Sequence, residues 1–224
     1  DTAEQLRDAD LKWITKRFNV VMARTVMELR GIPAIQLDDS SEPSKSITSS
    51  RSFGRKVTAL SDLQEAMASY MARAAEKLRC QGLLANVVTV FAGTSRFLPV
   101  EKRYHNSGTV TLPESFNDTG NLTKYALMIL ESIYRKGFRY SRAGVMLLDL
   151  VHENSYQPSL FGDHEGRKKN NRLMKVMDQL NQQMGARTIQ LGAEGLNQDW
   201  GMRRQMKSPA YTTCWHEIPR VRAV

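Results

Sequence analysis

The segment from Ser50 to Lys56 concentrates side chains that bind phosphate oxygens. Arg51, Arg55 and Lys56 supply cationic donors, and Ser50 and Ser52 supply hydroxyl groups between them. Hydrogen bonds from such groups hold a protein on a nucleic-acid backbone without reading base sequence. The chemistry predicted for this segment is therefore binding of phosphodiesters.

Further basic side chains precede two later strands of the predicted fold. They are Arg96, Lys102 and Arg103 in one loop, and Arg135, Lys136, Arg139 and Arg142 at the start of the last strand. We expect many of these side chains to converge with the first segment on the open side of a sheet. The alternative is that each one only keeps the surface soluble, which is the usual role of a single Lys or Arg.

A second motif is the peptide Gln157-Pro158-Ser159-Leu160-Phe161, which lies in a polar stretch. Its amide and its two adjacent apolar side chains suit a preformed pocket on a partner, and its flanks would allow it to act as a tether. The alternative is a loop whose Leu160 and Phe161 pack into the neighbouring domain.

The sequence lacks the patterns of several catalytic chemistries. Its glycines are dispersed and form no nucleotide-binding motif. Cys80 and Cys214 are too far apart for a zinc ligand pair, and no two carboxylates stand at neighbouring strand ends. Asp149 is a lone acid in an apolar strand, which favours an edge position or a hydrogen bond. We therefore predict no catalytic residue, metal site or cofactor in this chain.

The elements that must position these groups follow a regular order. Strand patterns occupy residues 47–53, 87–91, 108–112 and 145–151. Ser61 is predicted to cap one amphipathic helix, and Thr119 to open a second. The order βαββαβ predicts an α+β fold of the split β-α-β type, in which two helices cover one face of a four-stranded sheet. The other face is left open, and the strand at 145–151, which is apolar on both sides, is expected to be central.

The flanking regions have weaker patterns. Residues 6–30 predict one or two short helices, and residues 38–46 predict a linker. Beyond the sheet, apolar residues from Leu173 to Met184 predict a helix that stops at Gly185, and residues 188–191 predict a short strand. We expect a small α/β tail.

Composition favours a polyanionic partner. The formal net charge is +9, and residues 45–153 hold 15 basic and 9 acidic side chains. Two cysteines do not suggest a disulfide-stapled domain, and no apolar run approaches the roughly 18 residues that span a bilayer. A reducing cytosol fits these features. Because the chain begins at Asp1 without Met, we expect a piece of a longer protein.

Stretches along almost the whole chain resemble the Y-family of translesion DNA polymerases, in particular its polymerase V branch. These are Leu6-Arg7-Asp8-Ala9-Asp10, residues 24–31, Ser50-Arg51-Ser52-Phe53-Gly54-Arg55, Ala72-Arg73-Ala74-Ala75-Glu76-Lys77-Leu78-Arg79, Trp200-Gly201-Met202-Arg203-Arg204 and Ser208-Pro209-Ala210-Tyr211-Thr212-Thr213.

The resemblance implies an arrangement of domains. Residues 1–37 would end the thumb, 38–46 would be the tether, and 47–153 would form the little finger, which grips DNA. Residues 154–162 would carry the peptide for the β sliding clamp, and 163–224 would be a branch-specific C-terminal region. The catalytic palm, with its Mg²⁺ ligands, would lie upstream.

The resemblance also implies site residues and partners. The residue types themselves predict DNA binding by Ser50, Arg51, Ser52, Arg55, Lys56, Arg96, Arg103, Arg139 and Arg142. The resemblance assigns the clamp contact to Gln157, Leu160 and Phe161. Pro158 replaces the Leu that is commoner at the second position of the clamp motif. A UmuD′-type subunit and RecA would contact the C-terminal region.

Two other functions remain open from the residues. One is a protein-interaction adaptor whose basic sheet binds acidic partners and never touches DNA. The other is an RNA-binding module, which the scarcity of aromatic residues on the predicted sheet disfavours.

Overall fold

The computed structural model describes residues 2–34, 44–157, 164–203 and 206–219. Contacts divide the chain into two compact units, Asp1–Pro43 and Ser44–Val224. Among the described residues, no helix combines the length and the apolar character that crossing a membrane requires.

The first unit consists of three short helices, where the sequence predicted one or two. They are α1 (Ala3–Asp8), α2 (Leu11–Arg17) and α3 (Val20–Leu29). Ile14 and Val26 are its buried apolar side chains within the described residues. The Arg30 guanidinium donates to the backbone carbonyl oxygens of Arg7 and Ala9, both at 2.6 Å, and so ties α3 to the end of α1.

The second unit is built around a sheet of four strands and two long helices. In chain order these are β1 (Ser46–Val57), α4 (Leu60–Cys80), β2 (Leu83–Gly93), β3 (His105–Phe116), α5 (Thr119–Ile133) and β4 (Tyr140–His152). The predicted βαββαβ order is confirmed. One detail of the prediction was wrong: α4 begins at Leu60, and its N-cap residue is Ala59, so Ser61 lies inside the helix.

The sheet has the strand order β1-β4-β2-β3, and each neighbouring pair is antiparallel. The predicted central position of β4 is confirmed, since it pairs with both β1 and β2. Because β1 and β2 run parallel with β4 between them, and β3 and β4 run parallel with β2 between them, both β-α-β units are split.

Helices α4 and α5 bury one face of this sheet. Their apolar stripes include Leu63, Met67 and Leu130, none of which is exposed. On the sheet side, alternate residues such as Val88 and Val145 complete the core, as the two-residue period of a strand requires.

The C-terminal region packs against α4. Its helix, α6 (His164–Met184), is held there by an ion pair between Arg79 and Asp178, with nitrogen–oxygen distances of 2.6 and 2.7 Å. The strand predicted at residues 188–191 was wrong, because this segment follows a turn and bends without pairing to a strand. The Asn181 side chain bonds both the backbone NH and the carbonyl of Ile189, so the polar groups that a strand would pair are satisfied locally.

Trp200 anchors the segment that follows. Its indole lies edge-on to Phe53 and Tyr70, at centroid distances of 6.1 and 5.8 Å, and it is 4% exposed. The Gly54 backbone NH donates to the Trp200 carbonyl at 3.1 Å. A Cβ at Gly54 would lie 2.3 Å from the Gly201 carbonyl oxygen, so this close approach requires glycine.

Candidate nucleic-acid interface

The face of the sheet opposite α4 and α5 is rich in small hydroxyl side chains. Strand pairing sets Ser50 opposite Gly144 and Ser52 opposite Arg142, and the intervening pair, Arg51 and Ala143, lies on the opposite face. The same alternation in β2 and β3 directs Thr89 outward. Other side chains on this open face are those of Thr48, Met146, Leu148, Val87, Phe91, Ser107, Thr109 and Thr111. All are half-buried or exposed, so the predicted open face is confirmed for these residues.

Hydroxyl groups on this face are close enough to bond across strands. The hydroxyl oxygens of Thr89 on β2 and Thr109 on β3 lie 2.9 Å apart. Each hydroxyl can both donate and accept, so a phosphate oxygen could replace this mutual bond.

One end of the open face is cationic. Arg96, Arg103 and Arg142 line a cavity of about 590 Å³ together with Ser52. Arg142 crosses from β4 to β1, where its Nη2 donates to the Ser50 hydroxyl at 3.3 Å. The structure thus brings three of the predicted arginines to the hydroxyl-bearing surface.

Arg142 also lies over an aromatic ring. Its guanidinium carbon is 5.9 Å from the Phe91 ring centroid, within the range of a cation–π contact. Gly144 makes room for this ring, because a Cβ there would come within 2.6 Å of the ring's Cζ. The contact orients the guanidinium along the open face.

The loop between β2 and β3 completes the cavity and is held in shape by its own hydrogen bonds. The Thr94 NH donates to the Tyr104 carbonyl at 2.8 Å, which closes the loop at its base. The Arg103 Nε donates to the Leu98 carbonyl at 2.5 Å, which braces its centre. The Tyr104 hydroxyl donates to the Ile133 carbonyl at 2.6 Å and fixes the loop to α5.

Two predicted arginines lie elsewhere, so the expectation that they converge on the open face was wrong. Arg51 pairs opposite Ala143, a core position, and lines a separate cavity beside α4. Arg55 turns toward the first turn of α4, where its Nη2 is 3.2 Å from a carboxylate oxygen of Asp62. The physical reason is strand alternation: Ile47 is buried on the face that Arg51 shares.

The side of α4 near Arg51 contains a buried phenol. Burial raises the pKa of Tyr70 to about 12, although the nearby charges of Arg73 and Arg51 act in the opposite direction. The phenol therefore stays neutral at physiological pH.

The remaining predicted residues lie apart from the cationic cavity. Lys56 is exposed within the irregularity in the pairing of β1 between Ser52 and Val57, and Arg139 is exposed in the segment before β4. Gln157 is exposed after the sheet, whereas Leu160 and Phe161 fall outside the described residues.

Asp149 is hydrogen-bonded, as one of the sequence-based interpretations held. Its carboxylate accepts from the Asn86 side-chain amide at 3.0 Å, and its backbone has a φ of 50°. Among the residues that the structure describes, no three His, Cys, Asp or Glu side chains group as metal ligands would.

Two aromatic residues of the interface were missed by sequence reasoning. Phe91 follows the alternation of β2, and this period alone could have placed it outward. Phe97 is 98% exposed in the β2–β3 loop, where no period exists to indicate its position.

Comparison with known protein families accounts for most of the chain. The impB/mucB/samB family C-terminal domain matches residues 44–160, which contain the whole sheet. Residues 171–221, which include most of α6, match a domain of unknown function (DUF4113).

Curated relatives match from end to end of this chain. Protein UmuC of Salmonella typhimurium is 40% identical over 99% of the chain and 52% of its own length. Protein ImpB of Salmonella typhimurium is 38% identical over 99% and 52%, and protein MucB of Escherichia coli is 37% identical over 97% and 51%. The chain thus spans about half the length of these relatives.

Among solved structures, the insertion ternary complex of Dbh DNA polymerase is similar at a TM-score of 0.40 and 14% identity, over 68% of this chain and 42% of that one. The family assignment does not depend on this likeness, since it rests on the sequence match across the sheet. The chain therefore belongs to the impB/mucB/samB family, alongside UmuC, and contains the C-terminal domain of that family.

Proposed function

We propose that this chain holds primer-template DNA and targets a sliding clamp as part of an error-prone translesion DNA polymerase that acts in SOS mutagenesis. The observation that carries the proposal is the open face of the sheet, where hydroxyl side chains lie beside Arg96, Arg103 and Arg142. Guanidinium and hydroxyl donors on one surface match the oxygens of successive phosphates.

The form of the surface favours duplex DNA held by its backbone. A sheet that presents Thr89, Thr109 and Ser50 offers short donors, which reach phosphates but do not extend into a groove to read base edges. Binding of this kind does not depend on sequence, which suits a protein that must follow any template. Arg51 and Arg55 have no part in this contact, because they lie on the side of α4.

Clamp targeting is proposed for Gln157, Leu160 and Phe161. The support is the position of the peptide: Gln157 is exposed and follows the end of the folded sheet, so a partner can reach it. A tethered peptide of this kind raises the local concentration of the polymerase on the clamp.

The remaining partners follow from family membership. Mg²⁺-dependent polymerisation is proposed for the palm of the full-length protein, outside this chain. Contacts with a UmuD′-type subunit and with RecA are proposed for the C-terminal region, in the bacterial cytoplasm.

Titration with primed DNA at several salt concentrations tests the DNA-binding proposal. The chain should bind unrelated sequences with equal affinity, and log K should fall linearly with log salt. If no DNA binds while an acidic protein partner does, the chain is an adaptor and the proposal is refuted.

A further inference from the structure

The cationic cavity at the end of the open face has features that backbone binding alone does not require. Its volume of about 590 Å³ lies in the range of roughly 300–1,000 Å³ typical of small-molecule sites. Among the described residues that line it, three are arginines and none is acidic. A cavity of this charge suits an occupant with negative charge.

The cavity also presents aromatic surface. Phe91, whose ring lies under the Arg142 guanidinium, and Phe97, which is 98% exposed, both line the cavity. Within the described part of the chain, the Phe97 ring makes no contact with another ring. An exposed ring beside cationic groups is the combination that proteins use to bind single-stranded nucleic acid, in which bases stack and phosphates pair.

The loop holds Phe97 outward by its own structure. The Phe97 NH donates to the Ser95 hydroxyl at 3.3 Å. The next residue, Leu98, accepts the hydrogen bond from the Arg103 Nε. Tyr104 is unavailable for stacking, because its ring packs on Phe138 at a centroid distance of 4.8 Å and its hydroxyl is bonded to α5. Phe97 is therefore the ring in this loop that is free to meet a base.

We infer that the cavity binds an unpaired nucleotide of single-stranded DNA, with the base stacked on Phe97 and the neighbouring phosphates held by Arg96, Arg103 and Arg142. The inference rests on the proposed function and adds that the site receives template beyond the duplex. It assigns to the β2–β3 loop a contact with bases that the hydroxyl-bearing strands cannot make.

The test compares two single strands of about 12 nucleotides, one of thymidine and one wholly abasic with the same phosphates. Wild-type chain should bind the thymidine strand more tightly. Phe97→Ala should lose about 5- to 150-fold on the thymidine strand, the range expected for one stacked base, and almost nothing on the abasic strand. Val100→Ala removes apolar surface from the same loop, outside the cavity, and should leave both affinities unchanged.

A second readout uses Phe97→Trp, whose added indole reports stacking once the emission of the wild-type chain, which has three tryptophans, is subtracted. Its emission should be quenched by the thymidine strand and not by the abasic strand. Equal quenching by polyglutamate would assign the cavity to an acidic protein and overturn the inference. The inference would also be overturned if Phe97→Ala lost the same affinity for both strands, or lost affinity for neither. Blunt duplex serves as the internal reference. If wild-type chain binds duplex with the expected salt dependence, a failed stacking test rejects this inference alone, whereas no binding to any DNA rejects the proposed function as well.

Discussion

Two pairs of arginines allow the interface to be tested with two variants of equal net charge. Arg103→Gln with Arg142→Gln neutralises the cationic end of the open face, and Arg51→Gln with Arg55→Gln neutralises two arginines on the side of α4. Each double variant lowers the formal net charge of +9 by two. Long-range attraction for DNA should therefore fall equally in both, and any difference between them reports local contact.

The expected size of the difference follows from counterion release. Each phosphate contact contributes about 0.9 to the slope of log K against log salt on duplex DNA, so losing two contacts should flatten the slope by about 1.8. Between about 50 and 200 mM salt, this makes the loss of affinity about tenfold smaller for the open-face variant than for wild type. The variant on the side of α4 should keep the wild-type slope.

Fluorescence anisotropy with a labelled primed duplex, read at four or more salt concentrations, measures both slopes. Thermal unfolding of each variant serves as a control for folding. Equal slopes for the two double variants, or a flatter slope for Arg51→Gln with Arg55→Gln, would refute the assignment of the open face.

Three further predictions concern the peptide, the tail and pH. Leu160→Ala with Phe161→Ala should abolish binding to the sliding clamp in a titration and leave DNA affinity unchanged, whereas retained clamp binding would reject the tether. Trp200→Ala should lower the free energy of unfolding by about 3–5 kcal/mol in urea denaturation, as is usual for a buried Trp. Trp215 is 87% exposed, so Trp215→Ala should change the free energy of unfolding little. Equal effects of the two substitutions would contradict the anchoring of the tail by Trp200. Burial raises the pKa of Tyr70 to about 12 in the folded chain, whereas the unfolded phenol ionises near pH 10. Because the unfolded state loses its proton first, the stability of the folded chain should fall as pH rises between those two values. Tyr70→Phe should reduce that fall in pH-dependent denaturation, and an unchanged profile would contradict the burial argument.

The sequence contained enough information for the sheet and its two helices. Period-two alternation predicted strand β1, and the apolar character of β4 predicted a central strand, a position that is confirmed. The same alternation would have placed Arg51 correctly, because it shares the parity of Ile47, whose burial defines the core face. Judging the segment from Ser50 to Lys56 by its residue types alone merged two opposite faces.

The tail and the aromatic part of the cavity could not be predicted in the same way. Trp200 is buried by Phe53 and Tyr70, which lie more than a hundred positions earlier in the chain. No local sequence pattern predicts a contact between residues so far apart in the chain. Phe97 lies in a loop without a period, so only the assembled hairpin shows it beside Arg96 and Arg142.

Photo-crosslinking from the two faces of the sheet most directly tests the claim that the open face lies on DNA. With Cys80 and Cys214 replaced by Ser, a cysteine-linked photoreactive group is placed at Thr109 on the open face or at Lys124, an exposed position on α5. Illumination with primed duplex should attach DNA at position 109 and not at position 124. Crosslinking from position 124 in preference to 109 would show that the helices face DNA and would contradict the account.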